Sequence, residues 1–358
     1  MTSGLNFNNV FDGKTCKMLK DNANNVGEMI KSEEIVPISL FFEGTIMEKA
    51  VTSIFPGDKE PCEFRLNNDV PVLDRVCEEK NPESLNIDGK IGDFKQGNKG
   101  DCWLLSSIKA LSRNPKGAEI LKNAISQDSC GNVTVTLKGA KDKNGNPVKI
   151  EMSSDELYWA KDNLSSGDDD VIAIERAVDK YRRQQLLDVL HNPNIPESDK
   201  EAFVKDFDDG SKAIKAMELL TGKQAEDTDP FIDDDDKATE TYDLVDSRDM
   251  KSQIQKAKQS LGDVKSIPTT ITFSTSTNDP NPPSNDTFQL GRTELYFDHV
   301  YTVTSIEGDY VYLRNPHDSK TPMKVNMKKL FKMANTEMTN AQGSTEAKFY
   351  VTFSQVKL

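Results

Sequence analysis

The chain has few of the residues on which most disulfide and zinc sites depend. Only five of its 358 residues are cysteine and three are histidine, and no cysteines form a CxxC pair. Scattered cysteines of odd number indicate neither a disulfide framework nor a zinc site, and favour a reducing compartment. The first ten residues lack both a basic stretch and an apolar segment. We therefore expect a protein that is cytoplasmic or exported without a recognisable signal peptide.

The chain has fewer basic than acidic residues. It also has no apolar run that approaches the length of a membrane span. The formal net charge is -14, from 45 lysines and arginines against 59 aspartates and glutamates. A surface of this sign repels nucleic acid and anionic lipid, so we expect neither as a partner. The same acidity permits calcium binding, although simple solvation of the surface is the commoner reason for it. The sequence leaves the oligomeric state open.

The chain divides into three segments that differ in composition and in hydrophobic pattern. Residues 1–85 are rich in asparagine and are interpreted as a prosegment, a small domain or a partner-binding arm. Residues 86–262 carry helical patterns, of which Val171–Leu190 is the longest, with one apolar face. Residues 263–358 carry strand patterns. We therefore predict an α+β fold in which a helical subdomain is followed by a β-rich subdomain.

In the stretch Gln96–Leu105, QGNKGDCWLL, a glycine-rich loop precedes a cysteine that begins an apolar helical run. At a helix N-terminus the macrodipole and the free backbone N–H groups favour a thiolate, so Cys102 is a candidate nucleophile. The side-chain amide of Gln96 and the backbone N–H of Cys102 are candidate donors to an oxyanion. The alternative is a buried structural cysteine on a core helix.

A cysteine nucleophile needs a base, and His299 is the candidate. It opens one strand-like run, and a second run ends at Asn315 after the turn Glu307-Gly308-Asp309. Together the runs predict a hairpin in which the Asn315 side-chain oxygen accepts the imidazole N–H of His299 and fixes its tautomer. The structural alternatives are an ordinary strand histidine and a turn residue before Pro316.

Taken together, these motifs resemble the calpain-type cysteine proteases. The resemblance covers roughly residues 86–358 in the family's order, and its most specific part is the block around Cys102. Four further segments match: Ile174–Ala177 with Tyr181, Ala216–Gly222, His299–Val303 and Leu313–Pro316. The resemblance implies a papain-like fold, with the cysteine on the helical subdomain and the histidine and asparagine on the β-rich one. It also implies endopeptidase activity on protein or peptide substrates.

The resemblance assigns a role to each candidate residue. It implies Cys102 as nucleophile, His299 as general base and then acid, Asn315 as orienting residue and Gln96 in the oxyanion hole. A rival is a papain-fold acyltransferase or transglutaminase, which uses the same residues with an amine in place of water. A second rival is a catalytically weak binding module of the same fold. Residues 1–85 are hypothesised to be an inhibitory prosegment that the enzyme removes from itself.

The resemblance further implies a calcium site in the protease core. Its carboxylate ligands would be Asp93, nine residues before the cysteine, and Glu175, because calcium prefers hard oxygen ligands. The alternatives are a loop carboxylate for Asp93 and a helix surface charge for Glu175.

Two residues depart from the family pattern. Asp298 stands where the family has glycine before the histidine, and its carboxylate can raise the pKa of His299 or narrow the cleft. His317 stands where the family has the tryptophan that shields the histidine–asparagine hydrogen bond. This second departure predicts a more hydrated and less firmly held pair, unless another side chain covers the bond.

Overall fold

The computed structural model describes residues 85–208, 211–228, 266–275, 287–334, 337–339, 345–347 and 349–358, with single residues between 255 and 264. By contacts the chain divides into Met1–Glu78 and Glu79–Leu358, and the second unit contains all the described residues. The predicted prosegment at 1–85 lies outside them except for its last residue.

This unit combines helices, most of which precede Gly222, with strands, most of which follow it, and this confirms an α+β fold. The helices are α1 (Cys102–Ser112), α2 (Pro115–Lys122), α3 (Ser154–Ala160), α4 (Asp169–Leu190), α5 (Glu197–Asp208), α6 (Ala213–Thr221) and α7 (Met327–Ala334). In the part of the chain that is described, none of the helices combines the length and the apolar character needed to cross a membrane.

Most of the strands lie in the second half of the chain. They are β1 (Ile125–Gln127), β2 (Val133–Lys141), β3 (Pro147–Met152), β4 (Ala225–Thr228), β5 (Thr269–Thr275), β6 (Thr287–Leu290), β7 (Thr293–Tyr296), β8 (His299–Glu307), β9 (Tyr310–Asn315), β10 (Asp318–Asn326), β11 (Glu337–Thr339), β12 (Thr345–Ala347) and β13 (Phe349–Val356). Six of them form an antiparallel sheet in the order β10-β9-β8-β5-β13-β4, and β1-β2-β3 form a separate sheet among the helices.

Local signals account for where the main helices begin and end. The Asp168 carboxylate accepts the Val171 N–H and caps α4, and Asn114 caps α2 in front of a proline at the first helical position. Helix α6 ends at Gly222, whose φ of 71° is the left-handed conformation that glycine adopts most readily. These ends agree with the sequence pattern to within a few residues.

The predicted hairpin around the candidate histidine and asparagine is confirmed. Strands β8 and β9 pair antiparallel, with Thr302 opposite Arg314 and Val303 opposite Leu313. Gly308 lies in the turn with φ of 58°. The pairing brings the first residue of β8 and the last residue of β9 to the same end of the hairpin.

The described core separates into two hydrophobic clusters. One lies around the helices and the small sheet, and it buries the apolar face of α1: Leu104, Leu105, Ile108 and Leu111. The other lies against the six-stranded sheet and is rich in aromatic rings, with Phe273 packing against Phe288, Tyr301 and Phe349. Each half therefore has its own source of hydrophobic stabilisation.

Two buried hydrogen bonds join α1 directly to β8. The Ser106 hydroxyl donates to the Val300 carbonyl at 2.7 Å, and the Thr302 hydroxyl donates to the Ser106 carbonyl at 2.8 Å. Both hydroxyl side chains are almost fully buried. A buried hydroxyl that lost its partner would cost free energy, so these bonds fix the helix against the strand.

We expect Ser106→Ala and Thr302→Val each to lower the free energy of unfolding by about 1–3 kcal/mol, because each removes a buried hydrogen bond. The double variant should cost less than the sum of the single variants, since the two bonds share Ser106. Urea denaturation measures all three. The control is Thr293→Val, whose hydroxyl bond is exposed and 3.3 Å long. Losses no larger than that of the control would contradict the account.

Candidate active site

Cys102 is the first residue of α1, and its thiol is free. Asp101 is the N-cap residue, its side chain makes no capping hydrogen bond, and its carbonyl accepts the N–H groups of Leu104 and Leu105. The Cys102 side chain is buried, and a backbone hydrogen bond from Val300 reaches its sulfur. Because Val300 follows His299, the thiol lies where β8 begins.

The Cys102 thiol is protonated in the resting protein. Burial raises its pKa to about 11, the hydrogen bond from Val300 lowers it, and the Asp101 charge raises it. Burial therefore acts against the thiolate that the helix N-terminus was expected to favour, because desolvation disfavours the charged form. Cys130, in contrast, is disulfide-bonded, although the sequence indicates no disulfide framework.

The rate at which iodoacetamide alkylates Cys102 should rise by about tenfold per pH unit and continue rising through pH 9, because the thiolate fraction grows until the pKa is passed. Mass spectrometry of the Cys102 peptide measures the rate. Glutathione, an unburied thiol, is the control and should level off earlier. A rate for Cys102 that is constant from neutral pH upward would show a preformed thiolate and contradict the assignment.

His299 and Asn315 form the predicted hydrogen bond. The His299 Nε2 atom lies 3.0 Å from Asn315 Oδ1, and the same oxygen accepts the backbone N–H of His317 at 3.0 Å. An amide oxygen accepts hydrogen, so Nε2 carries the ring proton. The Nδ1 lone pair is then free to accept a proton, as a general base requires.

Aromatic rings enclose His299, which is 6% exposed. The His317 ring stacks on it at a centroid distance of 5.0 Å and an interplanar angle of 3°. Tyr296 packs against both imidazoles, and Tyr301 meets His299 edge-on at 4.9 Å. Of the two alternatives expected for this position, a hydrated pair or a bond covered by another side chain, the structure has the second.

His299 is neutral at physiological pH. Burial lowers its pKa to about 4, while the Asn315 hydrogen bond raises it and the charge of His317 lowers it further. Burial thus determines the direction of the change, and Asp298 is not among the causes of the pKa shift of His299. The resting site thus pairs a neutral thiol with a neutral imidazole.

Asp298 holds a backbone conformation that suits glycine. Its φ is 48°, and among the described residues no other non-glycine residue has a positive φ. Its N–H donates to the Phe273 carbonyl at 2.6 Å, which anchors the start of β8 to β5. The left-handed conformation of an L-residue brings Cβ close to the following carbonyl oxygen, and this costs free energy.

A comparison of Asp298→Gly with Asp298→Ala isolates this cost, since both variants remove the carboxylate. We expect the glycine variant to have a free energy of unfolding about 1 kcal/mol higher than the alanine variant. Thermal or urea denaturation measures the difference. Equal stability of the two variants would mean that the backbone at this position is not strained.

The loop that carries Gln96 is bonded to the turn after Asn315. The Gln96 N–H donates to the Pro316 carbonyl at 2.8 Å, and its side-chain Nε2 donates to the Lys99 carbonyl at 2.6 Å. An amide NH₂ has two hydrogens, so one remains for an oxyanion. Gly97 packs so closely on the Leu164 carbonyl that a Cβ there would clash. The candidate oxyanion donor therefore lies in the region of the candidate base.

Asp93, the first predicted calcium ligand, is already bound to a cation. Lys109 on α1 donates to Asp93 Oδ1 at 2.8 Å and to the Gly92 carbonyl at 2.6 Å. This ion pair lowers the pKa of Asp93. A calcium ion at Asp93 would have to displace the Lys109 ammonium group, which already binds the carboxylate and carbonyl oxygens that calcium would use. As it is placed, Asp93 does not fit a calcium ligand.

Glu175, the second predicted ligand, is a buried carboxylate and not a surface charge. Its Oε2 accepts the Ser165 N–H at 2.8 Å and the Ser165 hydroxyl at 2.6 Å. Asp101 lies beside it, and burial together with the Glu175 charge raises the pKa of Asp101 to about 9. One proton on Asp101 supplies a donor between the two carboxyl groups, of which Glu175 Oε1 and both Asp101 oxygens otherwise have none.

Neither predicted ligand belongs to a larger cluster. Within the described ranges, no group of three or more histidine, cysteine, aspartate or glutamate side chains is arranged to hold a metal ion. Calcium takes six to eight oxygen ligands. The calcium site stays a prediction of the resemblance.

Sequence reasoning missed three residues that shape this site. Tyr296 and His317 were not expected to cover the base, and Lys109 was not expected to hold the loop before the nucleophile. The spacing of Lys109 on α1 was the one available signal, because it shares a helix face with buried residues. The two rings meet only through the fold of β7 and the turn after β9.

Comparison with models of known protein families finds no match to the chain, and comparison with curated proteins finds none either. The resemblance to calpain-type proteases therefore rests on the motifs of the chain itself.

Proposed function

We propose that the chain is a calpain-like cysteine endopeptidase with a papain-like arrangement of its two halves. The observation that carries the proposal is the His299–Asn315 hydrogen bond of 3.0 Å at the end of a hairpin. That hairpin is bonded to the helix that begins with Cys102. Three residue types that together perform acyl transfer thus come from distant parts of the sequence to one region.

In the proposed reaction, His299 Nδ1 takes the thiol proton of Cys102 as sulfur attacks the peptide carbonyl. The Gln96 amide and the Cys102 N–H donate to the oxyanion of the tetrahedral intermediate. The imidazolium gives its proton to the leaving amine, and the C–N bond breaks to leave an acyl-enzyme. Water then adds while His299 takes its proton, and collapse releases the new carboxyl group and restores the thiol.

The neutral resting pair fits a mechanism in which charge separates only when substrate is bound. The raised thiol pKa and the lowered imidazole pKa both oppose a resting ion pair. The same two shifts also favour a second candidate, a catalytically weak binding module of the same fold. Acyl transfer to an amine is a third outcome, which differs only in the nucleophile of the second step.

Cleavage of reduced casein, read by mass spectrometry, tests the proposal. Cys102→Ala should abolish cleavage, and His299→Ala should lower kcat/KM by about 10²- to 10⁴-fold, since it removes the general base. Asn315→Ala should lower kcat more than it raises KM, because it misorients the base. His191→Ala is the matched control, since His191 is the exposed C-cap residue of α4, and it should retain full activity.

The same assay separates the rivals. A folded wild-type protein that cleaves nothing, or a Cys102→Ala variant that cleaves as well as wild type, would contradict the protease proposal. New amide bonds to an added amine would favour the acyltransferase. Each reaction is run with calcium and with a chelator. Loss of cleavage in chelator would confirm the calcium prediction, and unchanged cleavage would refute it.

A further inference from the structure

The candidate base has a second imidazole stacked on it. The rings of His299 and His317 are parallel to within 3° at 5.0 Å, and Asn315 Oδ1 binds the ring of one and the backbone N–H of the other. Asn315 therefore fixes the positions of His299 and His317 relative to each other. Two imidazoles this close oppose each other's protonation, since like charges repel strongly at short range.

The two rings differ in their access to water. His299 is buried, whereas His317 is exposed at the surface of the site. A solvated ring accepts a proton more readily than a desolvated one. Partial burial and the Lys95 charge lower the pKa of His317, but burial lowers that of His299 further, to about 4. The first proton therefore goes to His317.

The other charged or titratable groups around the pair do not reverse this order. Lys95 on the loop before the nucleophile adds positive charge near His317. Tyr296 from β7 packs against both rings. The Asp318 carboxylate, next along the chain, accepts the backbone N–H groups of Lys320 and Thr321 within its own turn.

Two further titratable groups lie near the start of β8. Tyr301 meets the His299 ring edge-on, and the Cys102 thiol is held where β8 begins. Asp298 precedes His299 in the chain. Because the histidine variants all keep Asp298, its charge does not contribute to differences between them.

We propose that His317 is a positioning residue that makes the candidate base sensitive to acid. When His317 takes a proton, its charge keeps His299 from accepting the proton of Cys102, and proton transfer within the site is suppressed. This inference deepens the proposed function, because it assigns a regulation to the same site. A tryptophan at this position would cover the base equally well but would carry no charge.

Proton NMR tests the coupling without any peptide substrate. The chain has only three histidines, so three C2-proton signals titrate, and His191→Phe and His317→Phe assign them. Phenylalanine keeps a stacking ring and removes the charge. We expect the titration midpoint of His299 to rise by about one pH unit in His317→Phe. It should stay at its wild-type value in His191→Phe, the control.

The pH profile of kcat/KM, or of Cys102 alkylation, tests the consequence. His317→Arg fixes a positive charge beside the base and should react about tenfold more slowly than His317→Phe throughout the neutral range. Wild type should match the phenylalanine variant at neutral pH and fall toward the arginine variant as His317 titrates. His317→Gln serves as the uncharged variant if the phenylalanine variant does not fold.

The two experiments distinguish failure of this inference from failure of the proposed function. A His299 midpoint that is unchanged without His317 would overturn the inference, as would equal rates for the charged and uncharged variants. If no variant cleaves peptides but the NMR midpoint still rises, the coupling stands and the protease proposal falls.

Discussion

The contact between α1 and β8 is the constraint on which the site depends. Two buried hydrogen bonds cross it, from the Ser106 hydroxyl to the Val300 carbonyl and from the Thr302 hydroxyl to the Ser106 carbonyl, and neither hydroxyl has water as an alternative partner. Because Cys102 begins the helix and His299 begins the strand, fixing one element against the other fixes the candidate nucleophile relative to the candidate base. The β8–β9 pairing then adds Asn315, and the loop bonded to Pro316 adds Gln96. Each reactive group thus sits at the end of an element whose middle is held by buried contacts.

Burial determines the chemistry of this site more than the helix dipole does. It raises the pKa of the Cys102 thiol and lowers that of His299, so the reacting pair rests without charge. It also forces Asp101 to keep a proton beside Glu175. A site of this kind separates charge only during reaction, when oriented donors are already in place and need not reorganise. The pKa values in such a buried site also change when a charge appears beside it. A histidine stacked on His299 can acquire a charge, whereas a stacked indole cannot.

Much of the secondary structure near the site could be predicted from the sequence, because the signals are local. The Asn114-Pro115 cap, Gly222 and the turn at Gly308 each depend on a residue's own backbone preferences. Helix α5 and the β6–β7 hairpin were not predicted, because their polar sequences carry weak periodicity. The effect of burial on the pKa of Cys102 and the identity of the rings that cover His299 were not predicted. Both depend on which distant side chains exclude water, and no local pattern records that.

The central claim is that water hydrolyses an acyl-enzyme formed on Cys102. The most direct test follows the acyl group into the products. Reduced casein is incubated with the wild-type protein in water enriched in oxygen-18, and the products are sequenced by mass spectrometry. Hydrolysis through an acyl-enzyme on Cys102 predicts heavy oxygen in every new C-terminal carboxyl group and none in samples incubated with Cys102→Ala. New C-termini that form equally in the Cys102→Ala sample, or a wild-type sample without labelled C-termini, would contradict a cysteine endopeptidase.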